Sequence, residues 1–557
     1  MGATRAGVRQ SAPYWSVRRI SILLTIVALL LWSYSVLQAR FDIGFFGLIS
    51  SFPITYFVAL GILTIASAAL WISKEDEGKL LFLQLCLLIV SLWLAPVVVR
   101  GGTPIMQESY ADLGRMEYII RTGHIDPSIL WDHAWPLGWI FWAVGAKMSG
   151  VGIQGLAKAI PWIPFVWQIL LFFPIFVFFR NTIGKVRPNC CWAAMWVFYI
   201  GNWSTELDTG SHALGIFLAF SILAILTMAP ARKRGATEPG RRIVAIILFA
   251  GAATAHLLGS LVSLGTTTVL CVSRRVKPST LAILLAVLIA AWSIFGAADF
   301  FSTNAAQTVK ELFKFQVVAE STVGRAQVGN PSHAAVVQAR IITALLFGAI
   351  AVAGGLLSWK QRHDAHTDIT MAATAIGSGF FMVVLGTVYG TTLFQRFLLF
   401  LMPVIAYFAV KLLLSRTTAV LLVFVMLVAL PLSFISMYGN QVLDYISPAY
   451  LTGAYFFQDN TDHGFVTGGM PIGRMRYQES YFFKTYDEGL KWQDDTLASL
   501  GGGLPHYICI STRERAAYTF LYDEPHFVDD IQSKLEVTTN CNAVYANPDM
   551  TIYIDES

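Results

Sequence analysis

The residues best placed to do chemistry lie between Gln107 and Trp135, a polar, carboxylate-rich stretch in an otherwise apolar chain. Glu108, Asp112 and Arg115 stand at i, i+4 and i+7, so on a helix they share one face. Two carboxylates one turn apart repel unless a proton, a cation or a substrate group sits between them. Arg115 tends to hold Asp112 ionised, and Glu108 tends to raise its proton affinity. That mixed setting is what a proton acceptor needs. Leu113, Met116 and Ile120 form a neighbouring apolar stripe, the build of a helix lying flat at a membrane surface with its apolar side down. The plainer alternative is a solvated loop whose charges face water.

Three further stretches carry polar residues that a simple scaffold does not require. Asn202-Trp-Ser-Thr-Glu-Leu-Asp-Thr-Gly-Ser-His212 places Glu206, Asp208 and His212 at a helix mouth. The structural alternative there is capping, with Asp208, Thr209 or Ser211 at the N-cap of the segment that starts near Gly210. His256 lies inside an apolar run, where a histidine is either an interhelical hydrogen-bond partner or the mark of a functional cavity. Arg396 closes Tyr389-Gly-Thr-Thr-Leu-Phe-Gln-Arg396 at the start of an apolar segment. It either snorkels to the interface or holds a phosphate through its planar fork of donors.

The elements that must position these residues are membrane helices. The chain has 557 residues, 55% hydrophobic and only 13% charged, with a mean hydropathy of +0.60. Repeated apolar runs of this kind exclude an ordinary soluble domain. The formal net charge of +5 comes without a basic block, so nothing points to nucleic acid. Apolar runs predict about thirteen spans: 18–38, 48–72, 80–98, 158–179, 189–203, 210–229, 243–256, 257–272, 280–298, 339–358, 369–389, 393–412 and 416–437. The first reads as an uncleaved span rather than a signal peptide. Lys and Arg cluster at Arg18–Arg19, 74–79, 180–187, 232–242, 274–277, 360–366 and 411–416, which sets these loops and the N-terminus on the cytoplasmic side. Pro136–Met148 then lies at the interface, with Trp135, Trp139 and Trp142 at headgroup level, and 243–272 is a hairpin broken near His256–Ser260.

Facing outward are the loops 99–157, 201–210, 299–338 and 389–396 and the tail 438–557. The tail interleaves Asp, Glu, Gly and Pro with short β-prone runs such as Tyr507–Ile510 and Thr551–Ile554, and predicts a small α/β or α+β domain. Cys509 and Cys541 share that oxidising side, where a disulfide is expected. Cys86, Cys190, Cys191 and Cys271 read as buried small hydrophobes, and no Cys/His spacing resembles a zinc site.

In this arrangement the chain resembles the C-type superfamily of integral-membrane glycosyltransferases (GT-C), which includes protein mannosyltransferases, lipid A aminoarabinose transferases and oligosaccharyltransferases. Four features carry the resemblance. A first outward loop bears the acidic motif Glu108-Ser-Tyr-Ala-Asp112 and two interfacial helices. A seven-span module (80–298) is followed by a long loop (299–338). A late span opens Arg396-Phe-Leu-Leu-Phe-Leu-Met-Pro403. A soluble outer domain (438–557) follows the last helices (339–437). The two-helix hairpin 1–79 is an addition to the module. The Trp-Trp-Asp tripeptide expected of oligosaccharyltransferases is lacking, which puts single-sugar transfer ahead of oligosaccharide transfer to asparagine. The resemblance implies an enzyme of the plasma membrane with a polyprenyl-phosphate-linked sugar donor, a lipid, glycan or protein acceptor, and inversion in a single displacement at the outer face. It implies that Asp112 is the general base, with Glu108 beside it, and that Arg396 or Arg115 binds the donor phosphate. It also implies a divalent cation, Mg²⁺ or Mn²⁺, on Glu108 and Asp112 together with Glu206 or Asp208. His212 and His256 complete the candidates. The competing class is a lipid or glycan transporter or flippase, which broken helices and an intramembrane histidine would suit. Against it, no repeated half-structure is visible, and the polar residues collect on one side.

Overall fold

A computed structural model of the chain describes residues 16–73, 75–126, 131–183, 188–228, 239–302, 329–361, 365–389, 392–460, 466–468, 484–485, 507–537 and 541–555. The described chain is a helical bundle carrying a small mixed sheet at its C-terminal end. The first helices are α1 (Val17–Gln38), α2 (Ile54–Trp71) and α3 (Gly78–Ile89), the last continuing into α4 (Ala95–Val99). Then come α5 (Glu108–Thr122), α6 (Leu137–Ser149), α7 (Gly152–Ala159), α8 (Ile163–Thr182), α9 (Pro188–Gly201) and α10 (Ser211–Thr227). They are followed by α11 (Pro239–Ala255), α12 (Leu257–Val272), α13 (Thr280–Phe295), α14 (Pro331–Gln361), α15 (Ala365–Tyr389), α16 (Thr392–Ala409) and α17 (Arg416–Tyr438).

Among the described residues, seven helical segments are long and apolar enough to cross a membrane: Val17–Gln38, Ile54–Trp71, Gly78–Val99, Gly152–Thr182, Pro331–Gln361, Arg396–Leu414 and Arg416–Asp444. The helices Ser211–Thr227, Leu257–Val272 and Thr280–Phe295 are apolar but shorter. The outside of the bundle is itself apolar, with Leu30 67%, Leu345 67% and Val420 70% exposed. Water would not tolerate so wide an apolar surface, and a bilayer satisfies it.

A buried polar cluster ties the first three helices together. Gln84 of α3 donates to Ser21 Oγ (2.9 Å) and Thr25 Oγ1 (2.8 Å) of α1, and Ser67 of α2 donates to Gln84 Oε1 (2.8 Å). These bonds tie three helices where lipid offers no alternative partner. Pro96 has no N–H for the carbonyl of Leu92. The helix relaxes through a π-helical turn, Val90–Leu94, and Tyr438 from α17 donates to that carbonyl at 2.6 Å.

Several boundaries differ from the sequence expectation. The helix expected at 339–358 starts at Pro331, so the last residues of the expected 299–338 loop are helical, while 303–328 lie outside the described residues. Pro53 delays the second span, which begins at Ile54 after a short 3-10 turn. The break expected within 256–260 occurs at one residue, His256, which is extended (φ −164°, ψ 125°). With 13 residues, α6 rises only about 20 Å, short of the about 30 Å hydrocarbon core.

After α17 come α18 (Gln441–Asp444), α19 (Pro448–Asn460), β1 (Val466–Gly468), β2 (Lys484–Thr485), β3 (Tyr507–Ser511), α20 (Thr512–Ala517), α21 (Phe527–Val537), β4 (Cys541–Asn547) and β5 (Met550–Asp555). The strands lie in the order β2-β1-β3-β5-β4; β1 runs parallel to both neighbours and β5 antiparallel to both. Alternation along β3 sends Ile508 and Ile510 to a small core with Val528, Ile531 and Leu535 of α21. Cys509 faces the other way, into the large core shared with α19.

This topology corrects the expected disulfide, which is not formed. Cys509 pairs with Ile552 of β5, and Cys541 pairs with Asp555. With β5 between them at about 4.8 Å per strand and an offset of about 3.4 Å per residue, their Cα atoms lie well beyond the about 7 Å a disulfide spans.

Candidate active site

The site forms where α5, α6, the 202–210 loop, α10 and the start of α16 meet. The Gln107–Trp135 stretch begins as a helix, as expected; it runs over 108–122 and is closed by Gly123 in the left-handed region (φ 77°). Its carboxylates have separate fates. Glu108 is exposed, whereas Asp112 is buried at 2% exposure. Leu113 and Met116 of the apolar stripe are buried in protein as well, where the sequence reading laid that stripe on the membrane surface, and the alternative of a solvated loop is not what forms.

Three donors from three elements converge on Asp112. Arg115 Nη1 lies 2.7 Å and Trp139 Nε1 2.9 Å from Oδ1, and Thr209 Oγ1 donates to Oδ2 at 2.8 Å. The Arg115 guanidinium lies 5.0 Å from the Trp139 ring centroid, which fixes it from the other side. Trp139 reaches this position because Gly138 lets α6 touch the start of α10. A Cβ on Gly138 would sit 2.4 Å from Ser211 Cα, and the Gly138 N–H donates to Ser211 Oγ at 2.8 Å. Burial raises the Asp112 carboxyl to about 6. Arg115 pulls it down, Asp208 pushes it up, and His212 and the Thr209 bond pull it down. Asp208 thus takes the part expected of Glu108, whose charge couples instead to Asp444 in a second group with Arg513, Arg100 and Arg340.

The 202–210 loop is buried, which is unusual for a connection and requires internal partners for its polar groups. Trp167 Nε1 donates to the Asp208 carbonyl (2.8 Å), and Asp208 Oδ1 accepts from the Gly210 N–H (2.8 Å). The N-cap of α10 is Gly210, not Asp208, Thr209 or Ser211, and Asp208 folds the turn before it. His212 Nε2 lies 3.2 Å from Asp208 Oδ1 and 3.4 Å from Glu206 Oε2. Arg396, at the mouth of α16, brings Nε and Nη2 to 2.9 and 2.8 Å from the same Glu206 oxygen.

These residues make one array: Arg115–Asp112–Thr209, Asp208–His212–Glu206, and Arg396. Its three carboxylates, Asp112, Asp208 and Glu206, face two guanidiniums, so a single proton on Asp112 or His212 brings the array to neutrality. His256 stands beside it with its ring 6.0 Å from that of His212, but its Nδ1 caps α12 by accepting from the Gly259 N–H (3.4 Å). Gly215, where a Cβ would sit 2.6 Å from the His256 Cβ, lets α10 approach it.

The residues do not fit the expected cation. Both Asp112 oxygens accept N–H or O–H donors, Glu206 is committed to Arg396, and Glu108 is exposed. Among the described residues no group of three or more His, Cys, Asp or Glu could hold a metal ion. Positive charge at the site comes from arginine.

Sequence reasoning missed Thr209 and Trp139 as partners of Asp112. It also missed the half-buried Arg340, whose Nε donates to the Ser436 carbonyl at 2.9 Å and whose guanidinium lies 5.8 Å from the Trp203 ring centroid. The only hint was chemical type: a hydroxyl inside an acidic run, and a tryptophan on the helix that follows.

No family model and no curated protein matches this chain. Among solved structures it is similar to the Archaeoglobus fulgidus oligosaccharyltransferase in complex with Zn and sulfate, with a TM-score of 0.49 and 12% identity, covering 85% of this chain and 73% of that one.

Proposed function

We propose that this chain is a membrane glycosyltransferase of the GT-C kind, moving a sugar from a polyprenyl-phosphate donor to an acceptor hydroxyl at the outer membrane face. The observation that supports it is the Asp112 carboxylate: buried, held by three donors, and raised to about 6. A carboxylate so placed is ionised at neutral pH yet basic enough to take a proton. In this reading Asp112 removes the acceptor proton as the acceptor oxygen attacks the anomeric carbon. The bond from that carbon to the phosphate oxygen breaks, and the configuration inverts. The leaving polyprenyl phosphate carries away the bonding electrons, and its charge needs a cation. Arg396 supplies it: Glu206 orients one edge of the guanidinium, and the Nη1 donors serve the phosphate.

The test is transfer from a polyprenyl-phosphate sugar by purified Asp112→Asn, which keeps the shape and removes the base. Loss of transfer on the order of 10²–10⁴-fold, with donor binding retained, is expected. Transfer at the wild-type rate would remove Asp112 as the base.

A further inference from the structure

A strut reaches the candidate active site from α14. His333, Val336, Arg340 and Thr343 stand at i, i+3, i+7 and i+10, so they share one face of this helix. The His333 ring lies 5.0 Å from that of Phe520 in the C-terminal domain, and the Asn330 N–H donates to the Phe520 carbonyl at 3.0 Å. Val336 is fully buried, and Thr343 Oγ1 lies 3.4 Å from Ser436 Oγ of α17. One side of α14 is thus seated on the C-terminal domain and on the end of α17.

Arg340 extends from that face toward the 202–210 loop. Its Nε donates to the Ser436 carbonyl at 2.9 Å, and the Asn440 amide oxygen, in the orientation that satisfies the amide, accepts from Nη1 and Nη2 at 3.2 Å. Those bonds hold the guanidinium by its edges, and its Cζ lies 5.8 Å from the centroid of the Trp203 ring. Trp203 is 1% exposed and stands near the start of the loop, three residues before Glu206 and six before Thr209. The far end of the loop is held separately, by Trp167 Nε1 on the Asp208 carbonyl (2.8 Å). The side-chain bonds nearer the start are long, Asn202 Nδ2 to Gln168 Oε1 and the Glu206 N–H to Ser204 Oγ both at 3.4 Å, so they restrain it weakly.

We propose that Arg340 is a positioning residue for the candidate active site: through Trp203 it holds the 202–210 loop where Glu206 orients Arg396 and Thr209 reaches Asp112. Its part in transfer rests on the reaction proposed above, whereas its hold on the loop does not.

The experiment is amide hydrogen exchange on the purified full chain in bilayer discs, followed over 202–210. Arg340→Gln is expected to speed exchange there roughly three- to thirtyfold, the range that a cation–π contact spans from exposed to desolvated sites. Arg340→Lys keeps a cation for the ring and loses the fork, so it should fall between wild type and Arg340→Gln, and it provides a second variant should the latter fold poorly. Thr343→Val removes a neighbouring tie to α17 and leaves Arg340 on Trp203, so it should exchange over 202–210 as wild type does. In transfer assays Arg340→Gln should raise the donor KM and move the acid limb upward together, because Glu206 and Thr209 sit on the same loop. Unchanged exchange in Arg340→Gln, or equal opening in Thr343→Val, would overturn the proposal whatever the transfer assay gives. Faster exchange in Arg340→Gln, beside a wild type that transfers no sugar, would instead refute the transfer reading and leave the hold on the loop in place.

Discussion

If Asp112 is the base, transfer must follow its ionisation. With a carboxyl at about 6, the ionised fraction falls from about nine-tenths at pH 7 to about one-tenth at pH 5, so kcat/KM should drop roughly tenfold per unit below 6 and level off above it. Arg115→Gln is the perturbation that tests the cause. The guanidinium at 2.7 Å is the strongest influence holding the carboxyl down, and removing such a partner typically raises a carboxyl by about 1–3 units. The acid limb should therefore move to about pH 7 or above, with activity recovering on the alkaline side. Loss of phosphate binding would instead lower activity without moving the limb. Stability provides a second readout. The folded carboxyl, at about 6, lies above its ordinary 3.8, so the folded state holds the proton more tightly. Its stabilising contribution is full below 3.8 and is lost as pH rises through about 6. Wild type should gain about 1 kcal/mol between pH 7 and pH 5 from this group, and Asp112→Asn should not. The assay is transfer from a polyprenyl-phosphate sugar across pH 5–9, beside thermal melts. An acid limb that stays in place in Arg115→Gln would refute the electrostatic reasoning.

Arg396→Lys keeps the charge and loses the fork, so donor use should weaken partially, while Arg396→Ala should weaken it severely; donor titrations giving equal affinities would remove Arg396 from the site. Glu206→Gln should raise the KM for donor severalfold and leave the acid limb near 6, because it loosens Arg396 and not Asp112. Gly138→Ala drives a methyl to 2.4 Å from Ser211 Cα and should cost about 1–3 kcal/mol, seen as a lower melting temperature. All six cysteines should alkylate in denatured protein without prior reduction, and a two-thiol shortfall would restore the Cys509–Cys541 bridge. Single cysteines at Gly501 and Gly235 should react and fail to react, respectively, with an impermeant thiol reagent on intact cells; the reverse would invert the proposed topology.

The sequence by itself determined the helices, because a span is a local matter. About 20 apolar residues satisfy their own backbone and need only lipid around them. It likewise marked the helical start of the Gln107–Trp135 stretch, the break near His256–Ser260 and the β-prone runs of the tail, each written in neighbouring residues. What only the tertiary structure decided is which charges meet. Thr209 reaches Asp112 across 97 positions, and Arg396 reaches Glu206 across 190. Glu108, a single turn from Asp112, remains exposed and leaves the array. Sequence spacing put two carboxylates together because a helix face is periodic. Burial separated them, because α6, α10 and the 202–210 loop close over Asp112 and stop short of Glu108. The proton affinity of Asp112 is a property of that closure, and the cysteines of the C-terminal sheet stay apart for the same kind of reason: strand order, not spacing along the chain, sets which residues are neighbours.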